Sequence, residues 1–144
     1  MTEQERQVQL QLLKAQHIKN TNAIDKAKGE ARKLRMDEIV AATDAYCEEK
    51  RAKLAEIDSV RMEKKQYGWD DPHRNELIEQ ARMLEDHLGM MKTEHEDDLH
   101  KINARFAAAM LELDDKQREA NAWYEDQKAF IMSQKAEPKT EEAE

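Results

Sequence analysis

Residues 87–100, HLGMMKTEHEDDLH, hold the densest set of side chains in this sequence that can bind a cation or move a proton. His87, His95 and His100 stand there among Glu94, Glu96, Asp97 and Asp98. Asp97 and His100 are three apart, the spacing of the carboxylate-x-x-His pairs that hold two metal ions inside helical bundles. Such a centre also needs inward-facing carboxylates from other helices and a second pair of the same kind. The first half of the chain offers no such pair. Asp97 and His100 fall off the apolar face of their own helix, so the stretch reads as a solvated acidic face. His95 lies on that face, as a polar residue that sets register. No metal site is expected. There is also no Gly-rich phosphate loop, no GxSxG elbow and no HExxH. A slender helical protein lacks the concave walls of a catalytic pocket. The expectation is therefore no catalytic residue, no cofactor site and no enzymatic activity.

The elements that carry these residues follow from composition and periodicity. Of 144 residues, 39% are charged and 5% aromatic, with three Gly and two Pro, a profile of long helices and not of sheets. In the first half, Leu13, Ile24, Ala27, Ala31, Leu34, Ile39, Ala42, Tyr46, Ile57 and Val60 recur mostly at three, four and seven, with a slip between Leu34 and Ile39. In the second half, Leu77, Ala81, Leu84, Leu88, Met91, His95, Ile102, Ala109, Leu113, Ala120, Trp123 and Phe130 share one three-and-four ladder. Asp98, Lys116 and Gln127 occupy its polar rungs, and Phe106 lies one residue off it.

Between the halves runs QYGWDDPH, residues 66–73. Gly68 suits a left-handed helix end, Lys64 and Lys65 suit a helix C-terminus, Asp71 an N-cap, and Pro72 a first helical position. Tyr67 and Trp69 are expected to cap the seam at the tip. The organisation read from this is a first long helix over 1–66, a turn over 67–72, a second long helix over 73–135 and a disordered acidic tail over 136–144. The fold class is all-α: a long antiparallel two-helix coiled-coil hairpin, assembling into a larger helical bundle. With the pivot near residues 69 and 70, residue i faces residue 139 − i within a turn. Charge agrees with that register. Residues 14–35 carry seven basic and two acidic side chains, and the facing 104–125 carry three basic and five acidic.

The formal charge of −8 disfavours nucleic acid as a partner. The basic stretch from Lys14 to Arg35 lacks interleaved aromatics. Membrane contact is not expected either. Residues 8–18 are only mildly amphipathic, and no apolar run approaches the roughly 20 residues that span a bilayer. The N-terminus has no secretory pattern. A single cysteine, Cys47, allows no internal disulfide and reads as a small seam residue. The expected location is cytoplasmic, or in a virion assembled in the host cytoplasm.

Residues 106–113, FAAAMLEL, are apolar around nearly the whole helix, whereas the facing stretch near 26–33 covers one side. Phe106, Ala109, Met110, Leu111 and Leu113 are therefore candidate contacts with other chains. Met36, Val40, Cys47 and Leu54 form a second stripe on the first helix beside the Ile39 seam. Of these, Met36, Val40 and Leu54 are the candidate contacts. Trp69 at the turn is a candidate docking residue. The expected partners are copies of the same chain and a larger protein assembly. In layout the chain resembles scaffold or internal virion proteins of tailed phages, and also the two-helix stalk proteins of flagellar and type III secretion export gates. The likeness rests on length, hairpin and charge, and no motif assigns a family. It implies a non-enzymatic structural role in phage particle assembly or, as the alternative, a cytoplasmic adaptor or chaperone that binds through the hairpin.

Overall fold

The computed structural model describes residues 1–134, so the expected acidic tail over 136–144 lies outside the described residues. Two helices account for nearly all of them: α1 over Glu3–Lys64 and α2 over Pro72–Ser133. They pack against each other as a helical hairpin. Among the described residues no helix is long and apolar enough to cross a membrane.

Local chemistry explains where each helix begins and ends. Glu5 N–H donates to Thr2 Oγ1 at 3.1 Å, and Thr2 N–H donates to Glu5 Oε2 at 3.3 Å. This reciprocal capping box satisfies two donors that a helix start leaves open. At the far end, Gln66 N–H and Tyr67 N–H donate to the carbonyls of Glu63 and Lys64, three residues back. These tighter bonds close α1. Gly68 therefore does not supply a left-handed cap as expected; its backbone lies outside that region. A Cβ there would meet only Asp70 Oδ1, at 3.2 Å, the tip of an exposed side chain that can swing aside. Asp71 caps α2 as expected, accepting from His73 N–H at 2.9 Å, and Pro72 opens the helix. The Arg74 guanidinium ties the turn by donating to the Tyr67 carbonyl at 3.1 Å.

By compactness the chain divides into two units, each holding a part of both helices. One is Met1–Lys33 with the chain from Phe106 onward, and the other is Leu34–Arg105. The second unit contains the turn and a buried cluster of Val60, Leu77 and Ala81, against which Tyr67 and Leu84 pack. Ile57, Met91 and Ile102 are also buried there. In the first unit the buried apolar residues are Leu13 and Ile131.

The pairing register is two residues from the expected one. In the first unit His17 stacks on Tyr124 and Lys28 pairs with Asp114 at 3.0 Å. In the second, Tyr46 stacks on His95 and Arg105 bonds Glu38. The stacked pairs obey i + j = 141, within a turn of the expected 139.

Several rungs shift by one residue. Leu34, Trp123 and Phe130 are exposed, while Arg35, Tyr124 and Ile131 take the inward positions. Asp98 and Lys116 are likewise exposed, with Leu99 and Gln117 half-buried beside them, and Phe106 is half-buried. The cause is periodicity. A strict heptad drifts by about 20° per seven residues against a straight helix of 3.6 residues per turn. The inward positions follow the helix and not the heptad.

Candidate protein-interaction surfaces

An apolar residue on a two-helix hairpin is covered only if it points at the other helix. Among the described residues eight apolar side chains are buried, while sixteen large ones are exposed. The hairpin therefore leaves about half of its large apolar side chains exposed to water.

Met36, Val40 and Leu54 are all exposed on α1, Met36 at 58%. Cys47 is exposed with them and is not a seam residue of the hairpin, correcting the expectation. Steps of four and seven residues along α1 keep these side chains on one face, beside the inward Ile39, Tyr46 and Ile57. On α2 the 106–113 segment divides. Phe106, Ala109, Met110 and Leu113 are half-buried, whereas Leu111 is 63% exposed, with Ala107 and Ala108 exposed beside it. The opposite side of this helix presents apolar carbon to solvent. Trp69, at 83% exposure, does not cap the seam; Tyr67 alone fills that role. The indole stands free at the turn.

The inward face carries a second pattern that periodicity alone does not reveal. Each of the three tyrosines stacks on a histidine. His17–Tyr124 have centroids 4.3 Å apart at 17°, Tyr46–His95 4.4 Å at 2°, and Tyr67–His73 meet edge-on at 4.5 Å. The first two rungs are 29 residues apart on both helices, 17 to 46 and 95 to 124, with His and Tyr exchanged between helices. That equal spacing was the available signal. Lys128 and Lys50 lie over the Tyr124 and Tyr46 rings at 6.0 and 5.9 Å, within cation–π range. Such pairs add about 0.5–1.5 kcal/mol beyond area burial and fix register, because a slide of one heptad separates both.

His95, expected on the seam, is half-buried in it. Beside its stack, Glu49, Glu94 and Asp98 line a cavity of about 140 Å³. Among the described residues no group of three or more His, Cys, Asp or Glu is placed to hold a metal ion. Asp97 and His100 are exposed, off the hairpin seam. On the outer face of α2, the Arg82 guanidinium hydrogen-bonds Glu79 at 3.1 Å and holds its carboxyl below the usual range.

Comparison with protein-family models, curated proteins and solved structures finds no match to this chain.

Proposed function

We propose that this chain is a non-enzymatic structural protein that works by coiled-coil oligomerisation, as a scaffold or internal component in the assembly of a phage particle. The observation that carries the proposal is the excess of exposed over buried large apolar side chains, sixteen against seven among the described residues. Exposed apolar area that a fold cannot cover itself marks interaction surfaces. Small hairpins with one seam are marginal alone, and association supplies the missing burial. The phage setting rests on the layout alone: small size, a two-helix hairpin and high charge. It places the protein in the host cytoplasm during assembly.

Light scattering of the purified full chain is the test. A defined homo-oligomer is the expected result, and Met110→Glu or Leu111→Glu reduces its mass. A monomer at about 100 µM overturns the proposal.

A second reading is favoured by Trp69. A solvated indole at a turn suits a cytoplasmic adaptor or chaperone that docks a partner through the hairpin tip. That reading expects a monomer until the partner is present, and Trp69→Ala to abolish binding without changing helicity.

A further inference from the structure

Of the exposed apolar faces, the α1 stripe has the most regular spacing. Positions 36, 40, 43, 47, 50 and 54 follow steps of four, three, four, three and four, the repeat of a coiled-coil seam. They read Met, Val, Thr, Cys, Lys and Leu. Lys50 turns its ammonium over the Tyr46 ring of its own helix, 5.9 Å from the centroid, back toward the hairpin seam. The stripe thus stays apolar between Cys47 and Leu54. All of it lies within the second compact unit.

The charges beside the stripe are divided along its length. Residues 36–44 carry Asp37, Glu38 and Asp44 with no basic residue; Glu38 is bonded to Arg105 of α2, which leaves −2 beside the stripe. In residues 46–54 Lys50 is turned to Tyr46, and Arg51 and Lys53 balance Glu48 and Glu49, a net of 0. Two copies laid parallel and in register set −2 against −2. Two copies laid antiparallel set −2 against 0, twice.

We infer that the α1 stripe pairs with the same stripe of a second copy, antiparallel, about a two-fold axis near residue 45. This rests on the assembly reading above and specifies its first contact. In this register residue i meets 90 − i of the second copy. Met36 packs on Leu54, Thr43 meets Cys47, and Val40 meets the stem of Lys50. Asp37 and Arg51 each follow a stripe position by one residue and so meet across the axis, forming the pair twice and outweighing the single Asp44–Asp44 contact that the same rule sets at the axis. The contact is isologous, with one surface serving both copies. Orientation comes from charge, and affinity from the buried methionine, valine and leucine. The two Cys47 side chains lie two residues either side of the axis, four residues apart along it, and so roughly 10 Å from each other for helices 8–10 Å between axes.

The test uses the full chain. A short bis-maleimide joins two copies through Cys47, and the covalent dimer is the main product. Asp37→Arg and Arg51→Asp each raise the dimer dissociation constant about fivefold. The double variant Asp37→Arg/Arg51→Asp returns to the wild-type value, with helicity by circular dichroism unchanged throughout. An oligomer whose double variant is additive, or whose Cys47 thiols do not join, overturns this pairing and leaves the assembly reading intact. A chain that stays monomeric at about 100 µM overturns both.

Discussion

The two compact units use the same two helices and fill their contacts differently. The unit holding the turn buries Ile57, Val60, Leu77, Ala81, Met91 and Ile102, six of the eight buried apolar side chains among the described residues. The unit holding the chain's N-terminus buries two, Leu13 and Ile131. Its other inward positions are half-covered and mix Leu10, Ile24, Phe106, Met110, Leu113 and Tyr124 with Ala27, Ala31, Ala109 and Ala120 and the polar His17, Asn20 and Gln117. At about 25 cal/mol per Å² of apolar surface removed from water, an alanine contributes far less than an isoleucine or leucine. Chain closure sharpens the contrast. Val60 and Leu77 close a short loop, whereas His17 and Tyr124 close nearly the whole chain. The lesson is that the hairpin is stabilised from its turn, and the unit with long-range contacts depends on register devices more than on burial.

The largest expected effect tests that contrast directly. Ile57, 2% exposed, becomes Ala at a cost of about 2–5 kcal/mol, read as a lower midpoint in urea. Leu13→Ala costs less, below about 2 kcal/mol, because Leu13 is 8% exposed and lies outside the buried cluster at the turn; an equal loss at both sites would erase the distinction. Hydrogen exchange gives the next comparison. Amides of residues 51–62 exchange at least about tenfold more slowly than those of 7–25; uniform protection along α1 would break it. A smaller effect belongs to the stacked rungs. Double-mutant cycles on Tyr46/His95 and on His17/Tyr124 each yield a coupling of about 0.5–1.5 kcal/mol. Coupling confined to one rung would show that the other is mere proximity. The smallest effect lies on the solvated face. Arg82 holds the Glu79 carboxyl below its ordinary value, so its contribution is present above that value and fades as pH falls through the lowered one. Glu79 is exposed, so Glu79→Gln lowers the midpoint at pH 7 only slightly, and the difference vanishes at low pH where both side chains are neutral.

Much of the hairpin was legible because its signals are local. Asp71 and Pro72 mark a helix start by their own chemistry, and Leu77 to His95 repeat cleanly enough to fix a face. The pairing register was legible to within a turn, since opposite charges such as Lys28 and Asp114 line up under it. What escaped depends on accumulated geometry or on the second helix. A ladder drawn at 3.5 residues per turn assigned Leu34, Trp123 and Phe130 inward. Helices that keep 3.6 hand those places to Arg35, Tyr124 and Ile131. The Thr2–Glu5 capping box fits a known short pattern, yet its position before a polar segment hid it. The tyrosine–histidine rungs could not be read until both helices were aligned, because neither member is unusual alone. The candidate contacts at Met36, Val40 and Leu54 came from the same periodicity that located the seam, and the structure leaves all three exposed.

The outward placement of both indoles has an optical consequence. Trp69 is 83% exposed and Trp123, also off the seam, 40%. In the isolated hairpin Trp69 has the long-wavelength emission of solvated indole, and melting the helices scarcely moves it. A shift toward the blue therefore reports a neighbour arriving, and the two single-tryptophan variants tell which end it reached.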